Sequence, residues 1–242
     1  MQLIRNILLF CLWITISGTA FGQEAIKRTR EYYKDHTGGN CLALFADTSA
    51  PIRQIVLIRH AEPDLDKKGC RNRDEAIRFF SAYDSAGIVP FDKRPLCLES
   101  IGTSTVLHSS LPRARQSAKL AFGQGFEYQE NDRYREFERK TMKFCNIRLP
   151  LKCWTTSSRL LWLMGLNDKG IESFREARSR ARENANVLAD KTTGEEQVIL
   201  LAHGLHNRYV KKYLKKLGWK EVYDSGNAYL SVKIMAREVG NE

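Results

Sequence analysis

QIVLIRHAEPD, residues 54–64, decides how the chain is read. Gln54 to Ile58 is a short β-branched run of the kind that forms a strand buried inside a sheet, and Arg59-His60 follow at its end. Working outward, Thr103 to His108 is a second candidate strand, followed by a helix over Leu111 to Phe122 with Arg113 at its start. QVILLA, Gln197 to Ala202, is a third, followed by His203-Gly204 and a helix over Leu205 to Leu217; AYLSVKIMA near the end is a fourth. Between these, DEAIRFFSAYDS (Asp74 to Ser85) has helical spacing, with Ile77, Phe80 and Tyr83 or Asp84 near one face. A long charged helix is expected from Lys169 to about Ala189, with Ile171, Phe174, Ala181, Ala185 and Leu188 along its apolar stripe. Strands alternating with helices imply an α/β fold, a three-layer sandwich with helices on both faces of a mostly parallel sheet.

Such sheets bind ligands where strands end and helices begin. Arg59 and His60, Arg113, and His203 each follow a different strand, so one sheet edge receives two arginines and two histidines. Arginine presents a planar fork of donors that matches phosphoryl oxygens, and histidine can act as a nucleophile as well as a base. Taken singly, each residue also fits a structural role: a surface ion pair for either arginine, a hydrogen-bonded core position for either histidine. Together, with no metal-ligand spacing, they suit phosphoryl transfer through a phosphohistidine. Neither a metal nor a cofactor is expected.

IRHAE (58–62), SSLPRARQSA (109–118) and LLAHG (200–204), in this order and at these strand ends, resemble the histidine phosphatase superfamily, the phosphoglycerate mutase-like fold. The resemblance covers about residues 52–235. It implies His60 as nucleophile, Arg59 and Arg113 as ligands of the phosphoryl oxygens, and His203 as a further contact to the same group that stabilises its charge during transfer. In the branch with His-Gly at the last motif, the acid that protonates the leaving oxygen is a glutamate after the second motif. YREFERK (134–140) supplies Glu136, with Glu138 as competitor. The other branch has His-Asp where this chain has Gly204, which disfavours its phytases and acid phosphatases. Ala61 replaces a common glycine. Asp66 falls about where phosphoglycerate mutases place an asparagine that binds phosphate; with the export inferred below, this favours a hydrolase over a mutase. A phosphotransferase or a non-catalytic binding protein for phosphorylated ligands are the alternatives.

Two inserts set the substrate, 63–88 and 140–165. The second carries Phe144, Leu149, Leu151, Trp154, Leu160, Leu161, Trp162 and Leu163 among basic Lys143, Arg148 and Lys152. It reads either as a helix packed as a cap or as the wall of an apolar, positively edged recess for a phosphorylated molecule with a hydrophobic part.

The chain has 242 residues, 43% hydrophobic and 28% charged, enough for one sizeable domain over 23–242. Residues 1–22 begin with one arginine, run apolar from Ile7 to Ile16 and end in small residues, which reads as a cleaved signal peptide. The stretch is short of the roughly 20 apolar residues that span a bilayer, so no membrane span is expected after cleavage, and the protein is expected to be periplasmic or secreted. Of six cysteines, Cys11 lies in this leader; Cys41, Cys70, Cys97, Cys145 and Cys153 remain, an odd number whose pairing the spacing does not define. The net charge is +11, but Lys and Arg are scattered among Asp and Glu, which argues against nucleic acid and for a field that favours small anionic substrates. The densest basic run, VKKYLKKLGWK, reads as a solvated helix face. A phosphorylated small molecule is thus the expected partner, and oligomeric state is left undefined.

Overall fold

The computed structural model describes residues 23–36, 41–45, 52–139, 146–166 and 170–239, and the expected leader lies outside them. Six strands form the main sheet: β1 (Ile52–Arg59), β3 (Thr105–Ser109), β4 (Glu127–Asn131), β6 (Gln197–Ala202), β7 (Lys220–Asp224) and β8 (Val232–Glu238). Their order is β4-β3-β6-β1-β8-β7. The four from β4 to β1 are mutually parallel, whereas β8 runs antiparallel to both β1 and β7. The three strands that carry the motifs are therefore adjacent and central, and their ends are level, with Arg59 opposite Ala202 and His108 opposite Leu201.

The core follows from the two-residue period of these strands. Val56, Ile58, Ile199 and Leu201 face one side, where they meet α3 (Pro112–Phe122) and α1 (residues 23–35) through Ala114, Ala118, Phe122 and Tyr33. Ile55, Leu57, Val198 and Leu200 face the other, against α5 (Phe174–Lys191) and α6 (Gly204–Lys216). Alanines 177, 181 and 185 make α5's inner stripe, so this helix packs close to the sheet. β6 is buried at all six positions, which is why it reads as an unbroken apolar run.

Sequence patterning missed β4 and β7. Both lie at sheet edges and carry mostly polar, solvent-facing residues, EYQEN and KEVYD, with no apolar run to betray them. The last strand begins at Val232, not Ala228; residues 228–231 are instead a loop beside the motif strands. The long helix starts at Phe174, where Ser173 and Glu176 form a capping box, and Ile171 precedes it; Lys169 lies outside the described residues.

The inserts build a separate small layer. A two-stranded ribbon, β2 (Cys70–Arg71) with β5 (Leu149–Pro150), joins α2 (Arg73–Ser85) to α4 (Leu151–Leu163). Phe80, Ala76 and Trp154 pack together between the two helices, while Ile77, expected on the inner face, is 47% exposed. Trp162 reaches back into the core beside α5. Thus α4 is a packed cap, held by two tryptophans, and its Leu160 and Leu163 point outward. Cys41 and Cys97 form a disulfide, Cys70 and Cys153 are exposed thiols, and Cys145 lies outside the described residues. No helix among the described residues is long and apolar enough to cross a membrane.

Candidate active site

His60 begins the turn after β1, and its backbone N–H extends the ladder by donating to Ala202 C=O at 2.9 Å. Its ring is buried, with Nδ1 2.6 Å from the Ala61 carbonyl. A carbonyl only accepts, so Nδ1 carries the proton and Nε2 carries the lone pair. Burial, then the charges of Arg113, Arg59 and Lys67, push the ring's pKa down to about 3 against the opposing pull of the Ala61 carbonyl. At neutral pH His60 is therefore an uncharged imidazole with its basic nitrogen free. Ser117 ties this turn to the next motif: its hydroxyl accepts from Ala61 N–H at 2.8 Å and donates to Arg113 C=O at 2.6 Å.

Arg113 sits in the first turn of α3 with 1% of its side chain exposed. It donates to Tyr83 C=O at 2.7 Å, approaches Asp84 at 3.4 Å and lies over the Tyr83 ring. Arg59 lies over the Tyr229 ring at 4.4 Å and donates to the Asn227 carbonyl. A Cβ at Gly204 would come within 3.4 Å of Arg59 Nε, so an aspartate there would compete with the guanidinium for space. His203, fully buried, has its ring centroid 5.0 Å from that of His60. Ser109 Oγ lies 2.8 Å from His203 Nε2, and burial with the surrounding cations holds this ring neutral too.

Three of these four residues keep a buried polar atom without a partner among the described residues: Arg59 Nε, Arg113 Nε and His203 Nδ1. A buried donor left unpaired costs about 1–3 kcal/mol. The motifs thus bring three buried donors and the basic Nε2 of His60 to one sheet edge, a set able to hold the oxygens of an anionic group.

Glu136 completes the group from the loop after β4. Its carboxylate accepts from His206 N–H at 3.0 Å and Leu205 N–H at 3.4 Å, the exposed donors at the start of α6, directly after His203. Glu138 lines the recess beside Glu136 but is held away from the histidine motif, accepting from Glu172 N–H at 2.7 Å. Of the two candidates, only Glu136 is placed against the histidine motif. Glu136 and Arg113 also line a recess of about 400 Å³. Apart from Phe80, Leu111 and Phe137 its lining residues are charged, so of the two readings of 140–165 the packed cap holds and the apolar recess does not. The apolar residues of α4 are spent on packing or face solvent. Asp66 is exposed, its carboxylate accepting from Lys68 N–H at 2.9 Å within its own turn.

Sequence reasoning missed Ser109, Ser117, Lys67 and Tyr229. Both serines lie inside the quoted second motif, where an apolar environment would have demanded partners for their hydroxyls. Tyr229 was assigned to a strand; it instead covers Arg59 and approaches His60 at 5.7 Å between ring centroids, and its hydroxyl accepts from Lys67 at 3.2 Å. No local pattern announces that contact.

The pattern of the histidine phosphatase superfamily, branch 1, matches residues 55–241. No curated protein matches the chain by sequence. Among solved structures, mycobacterial hydrolase 2 is 18% identical, covering 79% of this chain and 84% of its own, with a TM-score of 0.47. A mycobacterial glucosyl-3-phosphoglycerate phosphatase is 18% identical over 76% and 90% of the two chains, with a TM-score of 0.45. YhfR of Bacillus stearothermophilus is 16% identical over 75% and 90%, with a TM-score of 0.46. The match of the family pattern takes in β1 from Ile55 onward, β3, β6 and every residue of the constellation built on them, and the chain belongs to branch 1 of the histidine phosphatase superfamily.

Proposed function

We propose that the protein is a phosphomonoesterase that works through a phosphohistidine on His60, without a metal. One observation carries the reading: the Nδ1–H of His60 is committed to Ala61, leaving Nε2 as a neutral nucleophile among three unpaired donors. Nε2 attacks phosphorus and the ester P–O bond breaks. The leaving oxygen takes a proton from Glu136, while Arg59, Arg113 and His203 hold the three remaining oxygens. A water then attacks phosphorus, giving its proton to the Glu136 carboxylate as the phosphorus–nitrogen bond breaks, and inorganic phosphate and the original imidazole are released.

The argument from Asp66 against a mutase loses its footing, because that carboxylate is directed at its own turn. Glu136 can serve a water as readily as an alcohol, so the preference for hydrolysis over transfer rests on the export proposed next. We also propose export: the leader-like residues 1–22 and the Cys41–Cys97 disulfide both suit an oxidising compartment.

The test is phosphate release from p-nitrophenyl phosphate by the full chain in excess EDTA, wild type beside His60→Ala, with and without an added alcohol acceptor. Release that persists in chelator and is lost in the variant is expected. Equal rates in both proteins would remove His60 as nucleophile, and transfer exceeding release would make the protein a phosphotransferase.

A further inference from the structure

Nearly every charge lining the recess beside Glu136 is matched. Arg180 forks onto Glu172 at 2.7 Å through both nitrogens, Arg135 lies 4.0 Å from Asp132, and Arg113 meets Asp84. Glu136 and Glu138 are held by backbone N–H groups. Arg139 differs: it lines the same recess, yet makes no hydrogen bond or ion pair with any described residue. Its guanidinium lies over the rings of Phe80 at 4.6 Å and Tyr83 at 4.9 Å.

Stacking on ring faces positions a guanidinium while leaving its N–H edge free. Tyr83 is shared, since Arg113 lies 4.6 Å from the same ring centroid. A rigid aromatic element therefore links the phosphoryl-binding arginine to the unmatched one. Arg159 adds to the crowding: it is committed to the carbonyls of Phe137 and Glu138, and the positive charge of Arg139 acts on both it and Arg113. An anion placed at Arg139 relieves that repulsion.

We propose that the recess takes the alcohol portion of the substrate and that this portion carries a carboxylate, bound by Arg139. This rests on the phosphomonoesterase reading, because the leaving oxygen must face Glu136 for its alcohol to enter the recess. It makes the preferred substrate a small, polar, doubly anionic ester, not one with a hydrophobic tail.

The test compares matched esters: 3-phosphoglycerate against glycerol 3-phosphate, and 6-phosphogluconate against glucose 6-phosphate, each with wild type, Arg139→Ala and Arg139→Lys. For at least one pair, wild-type kcat/KM is expected to favour the carboxylate-bearing ester by about tenfold or more, the worth of one charge-assisted contact. In Arg139→Ala that ratio falls toward one; Arg139→Lys keeps part of it. A wild-type ratio near one in both pairs, or a preference that survives Arg139→Ala, overturns the proposal. Calorimetric binding of the same esters to His60→Ala, with and without Arg139→Ala, separates this from failure of the phosphatase reading. If wild type releases no phosphate, a carboxylate preference in binding that depends on Arg139 still supports the subsite, and its absence overturns it.

Discussion

Ser109 Oγ lies 2.8 Å from His203 Nε2, across the ends of two adjacent parallel strands. The same oxygen accepts a hydrogen bond from Leu111 N–H at 3.3 Å, so its own proton is free to go to the histidine. Nε2 is then the acceptor, and the tautomer carries its proton on Nδ1, the buried nitrogen with no partner among the described residues. Ser109 thus fixes the tautomer and orientation of His203, which on the proposed mechanism donates from Nδ1 to the phosphoryl group. Ser109→Ala is expected to lower kcat by about tenfold, less than the ~10²–10³ seen when a direct oxyanion donor is removed. Ser109→Thr, which keeps the hydroxyl, should recover part of the loss. A kcat unchanged in Ser109→Ala would place the tautomer under other control.

Glu136 and Glu138 are two residues apart, and substitution distinguishes them. Glu136→Gln removes the proton needed by an alkoxide and should cost about 10²–10⁴-fold in kcat on an alkyl phosphate, the usual weight of a general acid. Formation of the phosphoenzyme from p-nitrophenyl phosphate should suffer far less, because nitrophenolate leaves without protonation. Glu138→Gln should change neither rate by more than a few-fold. Single-turnover rates on the two substrates measure the contrast, and a larger loss in Glu138→Gln would reverse the assignment.

How far the chain could be read from its residues depended on whether the physics was local. β1 and β6 are central strands, and burial on both faces left a continuous apolar signature in QIVLI and QVILLA. Arg59, His60 and His203 lie at the ends of those strands and Arg113 in the first turn of α3, so topology alone assembled them. β4 and β7 are edge strands whose polar residues carry no such signature. Tyr229 reaches Arg59 across 170 positions of chain, in a loop whose course depends on the antiparallel pairing of β8 with β1. For 140–165 the sequence allows either a packed cap or an apolar recess wall, and apolar content alone does not choose between them. Trp154 and Trp162 hold the cap onto its neighbours, and what remains around Glu136 is charged.

The Cys41–Cys97 disulfide closes a loop of 56 residues that contains all of β1 and α2 and joins the segment after α1 to the approach to β3. Closing a loop of that length restricts the unfolded chain by about 4 kcal/mol on the chain-entropy account. Leu42 is buried beside it and exchanges backbone hydrogen bonds with Pro95 and Cys97, so the native segment has its own contacts as well. Cys41→Ser with Cys97→Ser should therefore lower the unfolding free energy by about 2–4 kcal/mol while the protein still folds. Urea denaturation of the two proteins gives the difference. Because none of the four motif residues touches this disulfide, the double variant should retain wild-type phosphate release at 25 °C.

His206 makes a prediction about acid. Its ring is fully buried beside Tyr134 and Phe137, Nε2 accepts from Asn184 Nδ2 at 2.9 Å, and Nδ1 faces Asn207 Oδ1 at 3.3 Å. A proton on Nε2 would confront the Asn184 donor. Burial, then the charge of Arg180, lower its pKa from 6.5 to about 3, against the pull of Asn207. Between those values the unfolded chain binds a proton that the native state refuses, so stability is fully present above about pH 6.5 and falls as the pH drops toward 3. The slope is about 1.4 kcal/mol per pH unit for each such histidine, and His60 and His203 act in the same direction. The carboxylates with lowered pKa, Asp224 at about 2 among them, add their own loss only below the ordinary carboxylate range. The interval from pH 6.5 to 5 therefore isolates the histidines. His206→Gln is expected to be less stable than wild type at pH 7.5 but to lose stability more gradually across that interval, by about one proton in the slope of unfolding free energy against pH. Parallel slopes for the two proteins would mean that His206 takes up its proton in the native state, and that the Asn184 contact rearranges to admit it.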